Sequence, residues 1–365
     1  LAAAEYRASP GVAISLRASG RGHCLARAGV CECFPPWRGR LCEVEDGGKR
    51  AERPFTAAFA TVLPNLEAHV DELASNLRLL WDRFNEQPDY PVLVFTDALD
   101  SDLKRRLVQA SRCRLWFFVI EHFWAIPGAI SGDESLDAAL RKSQHKSLGY
   151  RAQARWKAGP MFLHPVLGEG RAIEYLWWLD YDSYLPARPL FDPFARMHED
   201  GLVFAYTHWG HDARASSRHF WELVRLYMHA EGLGPSSTAL LREVHGEDGN
   251  FAGRLVLNDN ELMRVDWFAS GAYQRFFAYV DDLWGMWLHR WGDHLVRTFG
   301  VALHLPDGQA ARLALPYAHQ DVCLCGARGG EPGGRRGGEG GDCERVEDGG
   351  RPRKGWRWQC AALQS

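Results

Sequence analysis

No run in this sequence is long and apolar enough to span a bilayer; LWFFVI and YLWWL are strand-sized. Nor is there an excess of positive charge. Lys and Arg number 43 against 46 Asp and Glu, a formal net charge of −3, which argues against a surface built to neutralise nucleic-acid phosphates. The chain opens LAAAEYR, without an initiator methionine, a basic leader or an apolar leader core. It therefore reads as a fragment or mature form, which leaves room for a signal or membrane anchor upstream. No internal repeat is found. What the 365 residues do offer is room for one large domain with an appendage, or for two ordinary domains. Fifteen tryptophans are many for this length; aromatic faces often line sugar sites, although any single Trp is more simply read as core.

The stretch SGRGHCLARAGVCECFPPWRGRLCE packs Cys24, Cys31, Cys33 and Cys42 into a loop-rich segment with Trp37 and Gly39. The pattern resembles the later part of an EGF-like module and points to an oxidising compartment. Zinc is the competing reading, disfavoured by the uneven spacing. The first two cysteines of such a module are absent, with Ala18 where the second would stand. The resemblance implies a Cys33–Cys42 pair and leaves the partners of Cys24 and Cys31 open.

Residues 1–45 are thus expected to form a partial, disulfide-rich EGF-like segment, and the charged, glycine-bearing 46–54 a linker. From residue 55 a new pattern begins. FTAAFATVL reads as a strand, and PNLEAHVDELASNLRLLWDRFN as a helix with Leu66, Val70, Leu73, Leu77 and Trp81 on one face. YPVLVFTD, a second helix DSDLKRRLVQA and the strand RLWFFVI follow. Alternating strands and helices predict an α/β domain over 55–325, with a parallel sheet and helices on both faces. Further on, GLVFAYT and LVLNDNELMRVDWF read as strand units, and SSRHFWELVRLYMHA, GAYQRFFAYVDDLW and DHLVRTFGVALHL as helices. Residues 326–365 are glycine and charge without an apolar period, expected to be disordered. Cys323, Cys325, Cys343 and Cys360 flank or lie within that tail, and their connectivity is not readable.

One strand carries the chemistry. In YLWWLDYDSYL the apolar run ends in Asp180 and Asp182, one residue apart. Such carboxylates repel unless a cation lies between them, and both are hard oxygen ligands suited to Mg²⁺ or Mn²⁺. Turn capping is the plain alternative. Asp100-Ser101-Asp102 has the same spacing but leads a helix with a basic face, where capping suffices. In parallel sheets ligands bind beyond the carboxyl ends of the strands, where Asp180 and Asp182 would lie.

Six segments, in order, resemble the α-1,2-mannosyltransferases of glycosyltransferase family 15 between about residues 55 and 322. They are WDRFNEQPDYPVLVFTD, YRAQARWKAGPMFLHPVL, YLWWLDYDSYL, LNDNELMRVDWFASGAYQRFFAYVD, RWGDHLVRTFGVALHLP and YAH. The resemblance implies a GT-A-type fold, a Rossmann-like sheet with helices on both faces. It also implies transfer of mannose from GDP-mannose, with Mn²⁺ or another divalent cation, to a glycan or glycoprotein acceptor in the Golgi lumen. By the same resemblance Asp180 and His319 are metal ligands, and Asp182 belongs to the donor-binding motif. Glu261 is the candidate nucleophile, and Asp293 an acidic residue near donor and acceptor. Tyr150, Arg151 and Arg155 open the nucleotide-binding element, through ring stacking and guanidinium–phosphate contact. Each has an ordinary reading too: a surface or core histidine at 319, a strand-edge glutamate at 261, a helix cap at 293, a solvated helix face for Arg151 and Arg155. The chain departs from the family at three positions. Asp180 replaces a glutamate, Trp178 stands where the family has an arginine, and Arg297 where it has a histidine. Alternatives are a GT-A enzyme using another nucleotide sugar and a non-catalytic glycan-binding secretory protein.

Overall fold

The computed structural model describes residues 53–319 apart from 65, 99, 121–147, 168–172, 213–215, 235–237, 246–248 and 252, with short backbone pieces between 22 and 45. Those pieces are two small antiparallel ribbons: β1 (Gly22–Leu25) with β2 (Val30–Cys33), and β3 (Trp37–Arg38) with β4 (Val44–Glu45). Cys24 faces Cys31 across the first ribbon. Cys42 is buried and disulfide-bonded. Its expected pairing with Cys33, the linker over 46–52 and the tail after 319 lie outside the described residues.

The domain is built on seven strands: β5 (Ala57–Leu63), β6 (Val92–Thr96), β7 (Leu115–Val119), β8 (Tyr175–Leu179), β10 (Phe204–Tyr206), β13 (Asn260–Arg264) and β14 (Ala310–Arg312). Four strands of two or three residues accompany them among the described residues: β9 (Ser183–Tyr184), β11 (Trp209–His211) paired with β12 (Arg254–Val256), and β15 (Ala318–His319). The order across the sheet is β14-β10-β13-β8-β5-β6-β7. All seven residues of β5 are buried, as expected of a strand covered on both faces. Successive side chains of β8 point to opposite faces. Trp177 joins Phe59, Leu262 and the apolar side of helix α1 (Glu67–Leu80). Trp178 joins Phe95, Met263 and Trp156 of helix α3 (Leu148–Ala158). A third apolar cluster binds helices α4 (Phe220–Ala230), α5 (Gly271–Asp282) and α6 (Asp293–His304) through Phe220, Phe276 and Phe299. Six tryptophans among the described residues are buried, and Trp177, Trp178 and Trp291 are among the largest fully buried side chains.

The sheet is not all parallel. β13 runs antiparallel to both of its neighbours, β8 and β10, which corrects the sequence expectation. The chain re-enters the sheet from β12, which belongs to the separate β11–β12 ribbon, and it does so at the rim where β8 ends, so β13 runs back against β8. The consequence is functional. The end of β8 and the start of β13 lie on the same rim, so Asn260 faces Leu179 and Glu261 faces Trp178.

Helix α2 (Ser101–Ala110) settles the control pair. The Asp100 carboxylate accepts from the backbone N–H groups of Asp102 and Leu103 at 2.8 and 3.1 Å, an ordinary N-cap. Gly285 is held for another reason: a Cβ there would overlap the Trp291 ring, which lies just before Gly292 and Asp293. Gly285→Ala is expected to cost about 1–3 kcal/mol by overpacking and to lower the urea midpoint without changing its slope. An unchanged midpoint would show that the Trp291 loop yields freely.

Candidate active site

The chain turns sharply as β8 ends. The Asp180 N–H donates to the Asp259 carbonyl at 3.2 Å and the Ser183 N–H to the Asp180 carbonyl at 2.9 Å. Asn76 of α1 braces the turn from below, donating to the Asp180 carbonyl at 3.3 Å. Ser183 then begins β9, which pairs antiparallel with β15 so that His319 lies opposite Ser183. This ribbon carries the imidazole to the rim. Its Nδ1 lies 3.1 Å from the Ser183 hydroxyl, 3.5 Å from Asp182 Oδ1 and 3.8 Å from Asp259 Oδ2. Asp180, Asp182 and His319 each offer one ligand atom within 4.8 Å of the others, all three half-buried. Two carboxylates and one imidazole are a donor set that suits Mn²⁺ or Mg²⁺ completed by phosphate or water oxygens. The residues fit the ion that the family resemblance implies.

Asp259 stands behind this set. It is buried, receives the Tyr317 hydroxyl, and has His208 Nε2 3.8 Å away. Burial and the Asp259 charge raise the Tyr317 phenol well above its ordinary value, so Tyr317 keeps its proton and donates it.

Beside the metal-type set runs a line of alternating charges. The Lys157 ammonium, near the end of α3, lies 2.9 Å from Asp180 Oδ1 and 3.2 Å from Asp293 Oδ2, over the Trp178 ring at 4.8 Å. Burial alone would lower its pKa, but the two carboxylates outweigh that and raise it. Asp293, at the start of α6, also accepts from Asn258 and lies 3.9 Å from His294 Nδ1. Burial would raise this carboxyl; Lys157 and His294 instead hold it well below the usual range, and it stays ionised. His294 Nε2 is 3.3 Å from Asp212, which faces Arg290 at 3.5 Å. Burial opposes charge on His294, yet its two carboxylate neighbours push it up to about 9.

Glu261 is sealed. It is fully buried, and Arg297 Nη1 comes within 2.8 Å of Oε1, off the hydrogen-bonding direction. Neither carboxylate oxygen has a hydrogen bond. Burial pushes its pKa up to about 8, against the pull of Arg297 and Lys157. Arg297 also donates to the Lys157 carbonyl at 2.6 Å, tying α6 to α3.

A family model described as "Glycolipid 2-alpha-mannosyltransferase" matches residues 42–329. The chain belongs to this family. Among its relatives, "O-glycoside alpha-1,2-mannosyltransferase omh1" of Schizosaccharomyces pombe is 25% identical over 258 residues, 68% of this chain and 64% of that protein. "Alpha-1,2 mannosyltransferase KTR1" of Saccharomyces cerevisiae is 25% identical over 280 residues, 74% of this chain and 70% of that protein. The chain thus spans about two thirds of the length of these relatives. Among solved structures, core-mannan synthase A of Aspergillus fumigatus in its Mn/GDP form matches with a TM-score of 0.64 at 21% identity, over 74% of this chain and 76% of that one. The mannosyltransferase Ktr4p of S. cerevisiae gives 0.65 at 17% identity, over 74% and 73%. The fold is the α/β GT-A-like fold of the family.

Against that background the positions named from sequence divide. Asp180, Asp182 and His319 converge, with Asp293 and Glu261 along the same rim. Tyr150 lies near this line, its ring under the Arg290 guanidinium at 5.5 Å. Arg151 is buried and donates to the Trp287 carbonyl, and Arg155 forks onto Asp281 with two contacts of 2.6 Å. Both guanidinium groups therefore have protein partners that hold α3 to the helices beside it. Trp178, read from sequence as standing where the family has an arginine, supplies a donor of its own: its indole N–H donates to Asp180 Oδ1 at 2.7 Å. Lys157, Asp259, Tyr317 and His294 were not singled out from sequence. Asp259, two residues before Glu261, was the one within reach of the Asp-x-acid reasoning used at 180–182.

Glu261 and His294 both bind protons more tightly folded than unfolded, so stability falls as pH rises through their windows. For Glu261 that window runs from its ordinary 4.5 to about 8, and for His294 from 6.5 to about 9. In metal-free protein, Glu261→Gln is expected to flatten the pH dependence of the denaturation midpoint from about 5 to 6.5, where His294 is charged in both states. His294→Gln is expected to flatten it above about 8. Parallel curves for variants and wild type would refute both assignments.

Proposed function

We propose that this chain is a retaining α-1,2-mannosyltransferase that moves mannose from GDP-mannose to a mannose of a glycan or glycoprotein. The observation that carries the reading is the convergence of Asp180, Asp182 and His319 on one rim, with Asp293 and Glu261 beside them. The family match and the names of the relatives supply the sugar and the linkage; the Mn/GDP form of core-mannan synthase A supports metal and nucleotide. Asp180, Asp182 and His319 would hold Mn²⁺ or another divalent cation, whose charge stabilises the departing GDP.

The remaining work falls to the chain's own groups. Tyr150 offers a ring on which a guanine can stack, with Arg151 and Arg155 bracing the helix that carries it. Asp293, ionised and fixed by Lys157 and Asn258, is the acceptor for a sugar hydroxyl. Glu261 is the carboxylate proposed to face the anomeric carbon opposite the leaving group. With a pKa of about 8 it is largely protonated at neutral pH, so attack requires both deprotonation and displacement of Arg297. Residues 1–45 are proposed to form an EGF-like appendage joined by the 46–54 linker to a catalytic domain over 55–325, followed by a disordered tail. The disulfide at Cys42 supports a secretory setting, taken here as the Golgi lumen. No helix of the described residues is long and apolar enough to cross a membrane.

The purified chain with GDP-mannose and an α-mannoside is expected to form product only with a divalent cation. GDP with Mn²⁺ should raise the unfolding temperature more than UDP with Mn²⁺. Asp180→Asn and His319→Ala should each lower kcat/KM by roughly 100-fold or more, the scale of losing a metal or its support. Transfer unaffected by chelator, or stronger protection by UDP, would overturn this reading. For Glu261, kcat/KM should rise with pH through about 8. Glu261→Gln should abolish that rise together with turnover while leaving GDP binding intact; a fully active Glu261→Gln would assign the reaction to front-face attack instead.

A further inference from the structure

Asp180 does not present its two carboxylate oxygens alike. Oδ1 takes both the Lys157 ammonium at 2.9 Å and the Trp178 indole N–H at 2.7 Å. Both donors are themselves buried. Trp178 is fully buried in β8. Lys157 is 5% exposed and has Asp293 3.2 Å away on its other side, while its carbonyl is held by Arg297. Withdrawing the ammonium would leave the buried Asp293 carboxylate without its cation, which is costly. Oδ2 is therefore the oxygen that remains for a cation shared with Asp182 and His319.

We propose that Lys157 sets the metal preference of the site by holding Asp180 to single-oxygen ligation. The inference rests on the reading of Asp180, Asp182 and His319 as the metal set. Ca²⁺ gathers six to eight oxygens and commonly grips a carboxylate through both, whereas Mg²⁺ requires near-octahedral geometry and Mn²⁺ accepts the same oxygen set. A carboxylate with one oxygen already occupied by an ammonium and an indole serves an octahedral ion and denies Ca²⁺ its two-oxygen grip. The charge of Lys157 acts differently. Removing a positive charge beside the site strengthens the binding of every divalent ion alike, because the Coulomb energy depends on charge and distance. The ratio of two affinities therefore isolates ligation from charge.

The test titrates Mn²⁺ and Ca²⁺ separately into the full chain without nucleotide, by calorimetry, with Mn²⁺ checked by electron paramagnetic resonance. Wild-type protein is expected to prefer Mn²⁺. In Lys157→Met both affinities should rise, and the Mn²⁺-over-Ca²⁺ ratio should fall by about tenfold as Oδ1 becomes available. If both affinities shift by one common factor, Lys157 acts only through its charge and the proposal is overturned. Should Lys157→Met fail to fold, the same titration is made on Lys157→Gln, which fills the buried position with a neutral polar side chain. Its ratio should fall by about two- to threefold, and an unchanged ratio overturns the proposal. Wild-type protein that binds neither ion would instead sink the metal-site reading, and Lys157 with it. A wild-type preference that survives both substitutions would leave that reading standing and remove Lys157 alone.

Discussion

Carboxylates crowded at one edge of a sheet must be neutralised, and most of this site follows from how that is done. Asp180, Asp182, Asp259, Glu261 and Asp293 lie along a single rim, and three of them are buried. Unpaired, such charges would cost several kcal/mol each or take up protons. The chain answers each differently. Asp293 and Asp180 share Lys157, Asp259 receives a phenol that keeps its proton, and Glu261 faces Arg297 without a hydrogen bond. Asp180 and Asp182, with His319, are the ones left half-buried and close together. The site is thus acidic where a cation can enter and balanced everywhere else.

The fold places these groups by a single topological choice. An antiparallel β13 beside β8 brings the end of one strand and the start of the other to the same edge. Two further devices complete the rim. The β9–β15 ribbon carries His319 to Ser183, 136 residues away in the chain. Helix α3 delivers Lys157 into the low-dielectric layer above Trp178, where its charge counts for more than it would in water. Arg297 then locks α6 against α3 through the Lys157 carbonyl. The three positions read from sequence as departures from the family pattern, Asp180, Trp178 and Arg297, all fall within this network. Its cations arrive from two helices, at Lys157 and Arg297.

Periodicity alone recovered most of the elements. Apolar runs such as YPVLVFTD and YLWWL could bury only as strands, and the spacing from Val70 to Leu77 could only give a helix face. The Asp180–Asp182 pair was legible because it ends such a run, and Asp100 served as a control because it starts a helix instead. Arg151 and Arg155 looked like phosphate ligands or a solvated face; what they touch is a carbonyl and an aspartate of neighbouring segments. Lys157 gave no signal at all. A single lysine on a helix is ordinarily solvated, and only tertiary packing puts it against Trp178.

The sequence by itself determined which segments are strands, which are helices and which acids end a strand, because these depend on local spacing and on the polarity of near neighbours. Tertiary structure alone decided that β13 runs backwards, that His319 meets Asp182, and that Lys157 lies between two carboxylates. These are contacts between groups far apart in the chain. Their strength comes from burial and from the exclusion of water, and neither exists until the layers have closed.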